Sequence, residues 1–285
     1  MIKKFIKCLM LNRFTIDYVN FFFQGILKVK NILSPAVTHQ GKFFRTFKDD
    51  LFICSYPKSG TLWVSLITAI LLKKTNDINL SNIDNITPDI YTNKESKFIN
   101  AKRPRMFKTH ESFDPRFKRV IYVVRDPRDV IVSLYFFLIK IGKINKNYSK
   151  RKFVKEFLNG TYDIDFGSWE QNIGSWFGGK KENIIFVRYE DLKKNYSKEI
   201  KRICVFLKIK PKKTLIKKVV YKTQFETLQK QEEKYDLKWS VNSKKNNMKY
   251  FRSGKINQWK KFLSTGENKI IKNKWKFYMK LFKYY

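Results

Sequence analysis

Three short stretches are apolar at nearly every inner position: Asp50–Ser55 (DLFICS), Arg119–Val124 (RVIYVV) and Asn183–Arg188 (NIIFVR). Each precedes a segment of helical apolar period: Thr61–Lys73, Arg128–Ile139 and Tyr196–Leu207. Short apolar runs bounded by polar residues predict strands covered on both faces, and the longer period predicts helices. The pattern is that of an α/β fold, a central parallel sheet flanked by helices. Ligands of such sheets sit at the carboxyl ends of the strands. All three runs end there in polar residues: Ser55-Tyr56-Pro57-Lys58, Arg125-Asp126 and Tyr189-Glu190-Asp191.

The ends of the chain follow another pattern. In residues 1–35, Arg13, Asp17, Asn20, Gln24 and Lys28 form a polar stripe at spacings of three or four. Phe14, Tyr18, Phe22 and Ile26 lie on the remaining surface, which predicts an amphipathic helical extension. It is expected either to dock on the domain or to lie on an anionic membrane surface. No apolar stretch reaches the roughly 18–20 residues of a membrane span. Residues 36–267 read as one domain. Residues 268–285 read as a basic, aromatic C-terminal helix, and Tyr235–Lys249 as a long polar loop suited to a lid.

Composition narrows the classes. With 43% hydrophobic residues among 285, a real core is available, which argues against disorder through lack of a core. There are 61 Lys and Arg against 24 Asp and Glu, a net charge of +37. That charge suits an anionic ligand, and it keeps a non-catalytic alternative open: a basic protein binding nucleic acid or anionic membrane. The three cysteines are scattered, which fits a reducing cytoplasm. The two histidines, His39 and His110, exclude a histidine-rich metal site and leave two candidates for histidine catalysis.

Candidate chemistry begins at the first strand-to-helix turn, Tyr56-Pro57-Lys58-Ser59-Gly60-Thr61. Helix-start N–H groups lack intrahelical partners and, with the helix dipole, favour an anion. Ser59, Gly60, Thr61 and Leu62 can offer such donors, Gly60 permits close approach, and Lys58 adds a full charge. The lysine precedes the glycine, so the kinase-type G-x-x-x-x-G-K-[ST] loop is absent. Arg125 closes the second strand and Ser133 lies two turns into the helix after it. Arg252-Ser253-Gly254 adds another cation beside a glycine. These are candidates for a second anionic group. Asp126-Pro127 reads as a helix cap.

These blocks resemble the sulfotransferases that use 3′-phosphoadenosine 5′-phosphosulfate (PAPS), over roughly residues 48 to 263. Tyr56–Thr61 with Trp63 is similar to that family's 5′-phosphosulfate loop. YVVRDPRDVIVS resembles its 3′-phosphate strand and helix, and Lys108-Thr109-His110 the segment carrying its catalytic base. Arg188–Leu192, Thr223-Gln224-Phe225 and Arg252-Ser253-Gly254 with Trp259-Lys260 resemble three further blocks in order.

The resemblance implies a P-loop-like nucleotide-binding architecture and PAPS as co-substrate without a metal. It implies Lys58 on the leaving group and Ser59, Gly60, Thr61 and Leu62 around the 5′-phosphate. Trp63 and Phe225 would pack on adenine, with Tyr189 and Thr223 seating the nucleoside. Arg125, Ser133 and Arg252, within the Arg252–Gly254 block, would bind the 3′-phosphate. His110 would take the acceptor's proton and Lys108 would assist at the sulfuryl oxygens. The acceptor is expected to be a hydroxyl on a small molecule, carbohydrate or lipid. No specific nucleic acid is expected. A basic rim of Lys97, Lys102, Arg103, Arg105, Lys244 and Lys245 is expected to favour a large or anionic acceptor. Four positions depart from the family: Leu62 stands where many members have a second threonine, Ser253 where a lysine is common, and Asn257-Gln258 where Gly-Asp usually precedes Trp-Lys. Little of the family's short dimerisation motif follows Trp259, so the oligomeric state stays open.

Overall fold

The computed structural model describes residues 36–37, 43–44, 46–73, 77–93, 98, 101–162, 165–179, 183–235 and 249–285. The N-terminal extension expected over 1–35 and most of the expected lid, 236–248, lie outside the described residues. Strands β1 (Ala36–Val37) and β2 (Phe43–Phe44) form a small antiparallel ribbon. The central sheet holds β3 (Leu51–Ser55), β4 (Met106–Thr109), β5 (Arg119–Val124) and β6 (Ile184–Arg188), in the order β4-β3-β5-β6. All its pairings are parallel.

The helices are α1 (Thr61–Lys73), α2 (Ile83–Ile86), α3 (Pro127–Lys140), α4 (Lys150–Leu158) and α5 (Trp169–Gly178), then α6 (Tyr189–Lys194) and α7 (Tyr196–Phe206). After them come α8 (Lys213–Thr223), α9 (Phe225–Lys234), α10 (Thr265–Lys274) and α11 (Lys276–Leu281).

The three expected strands and the helices expected after them fall within one residue of those observed, and the small differences have local causes. Asp50 belongs to a turn because its carboxylate accepts the Phe47 N–H at 2.7 Å. Asn183 has φ 63° and so precedes its strand. Pro127 is the first helical residue, and Asp126 caps α3 by accepting from the Arg128 N–H. β4 has no counterpart in the expected set. It is four residues long and carries Lys108 at its third position, so no continuous apolar run marks it. The expected C-terminal helix is instead two helices, interrupted at Trp275 (φ −117°, ψ 29°). That indole is buried, meeting Phe157 and Trp169 at centroid distances of 6.1 and 5.6 Å.

The strands alternate their side chains between two cores. Phe52, Phe107 and Tyr122 face one side, with Trp169, Trp176 and Trp275. Leu51, Ile53, Ile121 and Val123 face the other, against α1, α7 and α8. Each large side chain buried in this way contributes about 1.5–3 kcal/mol.

The β3–β4 register is pinned at its start by a buried ion pair. Arg105 Nη2 lies 2.6 Å from Asp50, with side chains 2% and 0% exposed, and the Leu51 N–H donates to the Arg105 carbonyl. Breaking a buried pair from one side costs about 3–5 kcal/mol, because a desolvated charge is left behind. Asp50→Ala should lose stability of that order in urea unfolding. A loss below about 1 kcal/mol, the level of a surface pair, would show that the pair does not hold the register.

Candidate active site

The turn between β3 and α1 is shaped by two left-handed residues, Lys58 (φ 67°) and Gly60 (φ 106°). Gly60 is required twice over, because a Cβ there would also stand 2.9 Å from the Tyr189 ring. The turn closes through Ser59 N–H to the Tyr56 carbonyl, and α1 starts with Val64 N–H to Gly60 O. Thr61 Oγ1 lies 2.5 Å from Ser55 Oγ, which ties the helix start to the strand end. Ser59 is buried, and its hydroxyl has no hydrogen-bond partner among the described residues.

Arg125 reaches the same turn from the end of β5. Its Nη1 donates to the Lys58 carbonyl at 3.0 Å, and its guanidinium lies 4.2 Å from the Tyr189 ring centroid. Its Nε is buried without a partner among the described residues. The neighbouring carboxylates are engaged elsewhere. Asp126 pairs with Arg128 at 2.7 Å, and Asp129 accepts the N–H groups of Asn257 and Trp259. An orphaned guanidinium nitrogen and an orphaned serine hydroxyl at a helix start are the donors that a phosphate-like anion satisfies.

Several of these groups line an open cleft. One wall is aromatic: Trp63, Tyr189 and Phe225. Trp63 is fixed by its Nε1–H, which reaches the Thr223 carbonyl at 2.7 Å and the Tyr196 hydroxyl at 2.9 Å. Phe225 lies so close to the backbone of Gly254 (φ 58°) that a Cβ there would come within 2.3 Å of the ring. The other end is cationic, with Lys58, Arg125 and Arg252 around Ser133. Gly60, Leu62, Thr223, Ser253 and Gly254 complete the sequence-expected lining. Ser59 and Thr61 lie behind it, buried in the turn.

The sequence reading missed Lys193, Leu228, Tyr250, Phe251 and Gln258 on this lining. Only Lys193 had a usable signal, one helical turn after Tyr189; the others follow from tertiary packing alone.

Lys58 carries no full proton at neutral pH. Burial, then the charges of Arg125 and Lys140, lower its pKa to about 7. Its ammonium rests on aromatic faces, 3.8 Å from the Phe137 centroid and 4.4 Å from that of Tyr250. Burial and Arg125 also lower the pKa of Arg252, whose guanidinium stacks 4.1 Å from the Phe136 centroid.

His110 stands just after β4, beside the end of β3. Its Nδ1 is 2.8 Å from the Ser55 carbonyl oxygen. A carbonyl only accepts, so Nδ1 carries the proton and Nε2 keeps its lone pair. The Tyr91 hydroxyl accepts the His110 N–H, and Asn172 donates to the His110 carbonyl. Burial lowers the imidazole pKa from 6.5, and Lys58 and Lys108 push the same way. Asp89 and the Ser55 bond oppose them. The ring is therefore neutral at pH 7.

Lys108 does not line the cleft. Its ammonium is 2.5 Å from Asp84 and only 12% of its side chain is exposed. The expected basic rim also differs. Arg105 is buried on Asp50, and Arg103 pairs with Asp49. Lys97, Lys244 and Lys245 lie outside the described residues. Tyr91 and Phe166 flank His110, with centroids 6.2 and 5.4 Å from the imidazole. Among the described residues no group of His, Cys, Asp or Glu is arranged to hold a metal ion. Among them, too, no helix is long and apolar enough to cross a membrane.

Comparison with known proteins places this architecture. Residues 48–283 match the family model of the sulfotransferase domain. Sulfotransferase 1E1 of Homo sapiens is 33% identical over 202 residues, covering 65% of this chain and 68% of that protein. The 3-alpha-hydroxysteroid sulfotransferase of Cavia porcellus is 31% identical over 207 residues, covering 68% and 71%. Among solved structures, mouse sulfotransferase SULT7A1 complexed with PAP is 26% identical. It has a TM-score of 0.64 and covers 81% of this chain and 83% of its own. Because the family model spans the sheet, the cleft and both C-terminal helices, the chain belongs to the sulfotransferase family.

Proposed function

We propose that the chain transfers the sulfuryl group of PAPS to the hydroxyl of a small-molecule acceptor, with His110 as base. The observation that carries this reading is a juxtaposition. A cleft with an aromatic wall and a cationic end opens at the turn after β3, and His110, outside its lining, is held by Nδ1 on the carbonyl of Ser55, the last residue of that strand, which leaves Nε2 as the acceptor. The relatives' activity and the PAP in the SULT7A1 structure support the same co-substrate.

The residues divide the work. The N–H groups of Ser59–Leu62 and the Ser59 hydroxyl hold the 5′-phosphate. Arg125, Ser133 and Arg252 hold the 3′-phosphate, and Trp63, Phe225 and Tyr189 enclose the adenine. Thr223 acts through its carbonyl, which orients Trp63. Sulfuryl transfer resembles phosphoryl transfer in its loose, in-line transition state, so catalysis is positioning plus fixed positive charge. The acceptor oxygen bonds to sulfur while the bond from sulfur to the phosphate oxygen breaks. Nε2 takes the acceptor's proton, and Lys58 neutralises the departing oxygen. Lys108 contributes its field rather than direct contact, since Asp84 holds its ammonium.

Tyr91 and Phe166 beside His110 favour an apolar, planar acceptor such as a phenol. The basic rim for an anionic acceptor loses support because Arg103 and Arg105 are committed to ion pairs. A binding-only basic protein has no need of the orphaned Arg125 Nε or of the aligned imidazole. Peripheral membrane attachment through residues 1–35 remains a proposal from their sequence pattern alone.

Labelled sulfate should move from PAPS to a phenol with the intact protein. Lys58→Ala and His110→Ala should each lower kcat by ~10²-fold or more. Turnover within threefold of wild type in both variants would remove these roles.

The two pKa shifts set the pH dependence. The His110 base form exists above its lowered pKa, so the acid limb of kcat/KM should lie below pH 6.5. Free Lys58 loses its proton as pH rises through about 7. A bound phosphate group restores that proton, because an opposite charge favours the ammonium. Calorimetry with adenosine 3′,5′-diphosphate at pH 8, in buffers of different ionisation enthalpy, should therefore show proton uptake. Affinity should weaken above pH 7. Proton-neutral binding at pH 8 would mean that Lys58 does not meet the nucleotide's charge.

A further inference from the structure

Residues 249–257 carry Arg252, Ser253 and Gly254, yet they form neither helix nor strand. Their position must come from side-chain anchors rather than from a backbone ladder. Two carboxylates supply these anchors. At the far end, Asp129 accepts the Asn257 and Trp259 N–H groups at 2.7 and 3.1 Å. At the near end, Glu232 of α9 accepts the N–H groups of Tyr250 and Phe251, the latter at 2.8 Å. Gln229, one turn earlier, donates to the Phe251 carbonyl at 2.8 Å. Arg252–Gly254 therefore hang between two points, each fixed by charge-assisted bonds to backbone N–H groups.

Glu232 is an unusual residue for this place, because its side chain is only 6% exposed. Lys140 at the end of α3 compensates it at 3.2 Å, with a side chain 3% exposed. A buried carboxylate survives only when paired and fully hydrogen-bonded, and here two N–H donors and one ammonium do this. The Tyr250 ring, carried by the anchored residue, is one of the two faces beneath the Lys58 ammonium. One carboxylate on α9 thus bears on the Arg252 end of the cleft, while Lys58 keeps a second, closer aromatic face on Phe137.

We propose that Glu232 is a positioning residue for the 3′-phosphate end of the cleft, acting through the Tyr250 and Phe251 backbone. This rests on the PAPS reading above. The charge that compensates it comes from Lys140, so the two act as a unit across α3 and α9.

The test compares two nucleotides by calorimetry on the intact protein: adenosine 3′,5′-diphosphate, and AMP, which lacks the 3′-phosphate. In Glu232→Ala the diphosphate affinity should fall about tenfold or more, as expected when contact groups shift by a fraction of an ångström. AMP affinity should fall less than threefold, and KM for the acceptor should stay within twofold. A purely structural role would weaken both nucleotides together. Glu232→Gln keeps the volume and one accepting oxygen, so its loss should be smaller but still confined to the diphosphate. If the alanine variant does not fold, the glutamine variant decides. A fall of at least threefold in the ratio of diphosphate to AMP affinity supports the proposal, and a smaller change overturns it. Wild-type protein that does not prefer the diphosphate over AMP would overturn the PAPS reading itself, and this proposal with it.

Discussion

Parallel strand register is the constraint on which the site depends. Cys54 pairs with Thr109 across β3–β4, and Ser55 with Val123 across β3–β5. Parallel strands end together, so three loops leave the sheet at one edge. The next residue after Thr109 is His110, and its Nδ1 finds the Ser55 carbonyl there. The second residue after Val123 is Arg125, and it finds the Lys58 carbonyl. A one-residue slip would turn each of these side chains to the other face. The buried Asp50–Arg105 pair at the opposite end of β3 and β4 fixes the alignment that puts the imidazole in place.

Charge is managed by the same economy of position. The chain has 61 basic and 24 acidic residues, so most cations have no carboxylate to meet. Several of the acids serve buried structural points instead: Asp50 on Arg105, Asp126 at the α3 cap, Asp129 and Glu232 on backbone N–H groups, and Glu190 on the Tyr284 hydroxyl. The cations of the cleft are left to aromatic faces: Lys58 on Phe137 and Tyr250, Arg125 on Tyr189, Arg252 on Phe136. A ring holds a cation without neutralising it. The cleft keeps its positive potential for an anion while its side chains stay ordered.

Much of this was legible before the structure. The apolar runs marked three strands because strands buried on both faces leave an unbroken signature. β4 left none, since Lys108 interrupts it, and its neighbour His110 was found through the resemblance rather than through periodicity. The turn and Arg125 were legible because strand ends and helix starts are punctuated by small and polar residues. Tyr250, Gln258 and Glu232 were not legible. Tyr250 and Glu232 act through a tertiary contact between segments distant in sequence, and Gln258, the first residue of a short 3-10 turn (Gln258–Lys261), bonds Arg252 in an otherwise irregular segment. The basic rim misread its own residues for a related reason. A sequence shows the charge of Arg105 but not the buried carboxylate opposite it.

Two of the departures from the family pattern, Leu62 and Ser253, acquire a physical meaning in this setting. Leu62 takes the place of a hydroxyl, yet its side chain is 9% exposed and joins the apolar core between α1 and the sheet. The anion site keeps its backbone donors there, and the position contributes packing instead of a hydrogen bond. Ser253 takes the place of a lysine and accepts the Lys255 N–H at 3.2 Å, which shapes the turn into Gly254. Lys58, Arg125 and Arg252 already crowd that end. Burial first, and then the Arg125 charge, lower the proton affinity of both Lys58 and Arg252. A further ammonium at 253 would add to this repulsion whenever no anion is bound, and like charges in a poorly solvated cleft interact strongly. The serine relieves the free site of that repulsion. Under the proposed function, the attraction it forgoes would fall on the 3′-phosphate, and the placement of Arg252 between the Asp129 and Glu232 carboxylates would matter more in this chain than in one with a lysine beside it.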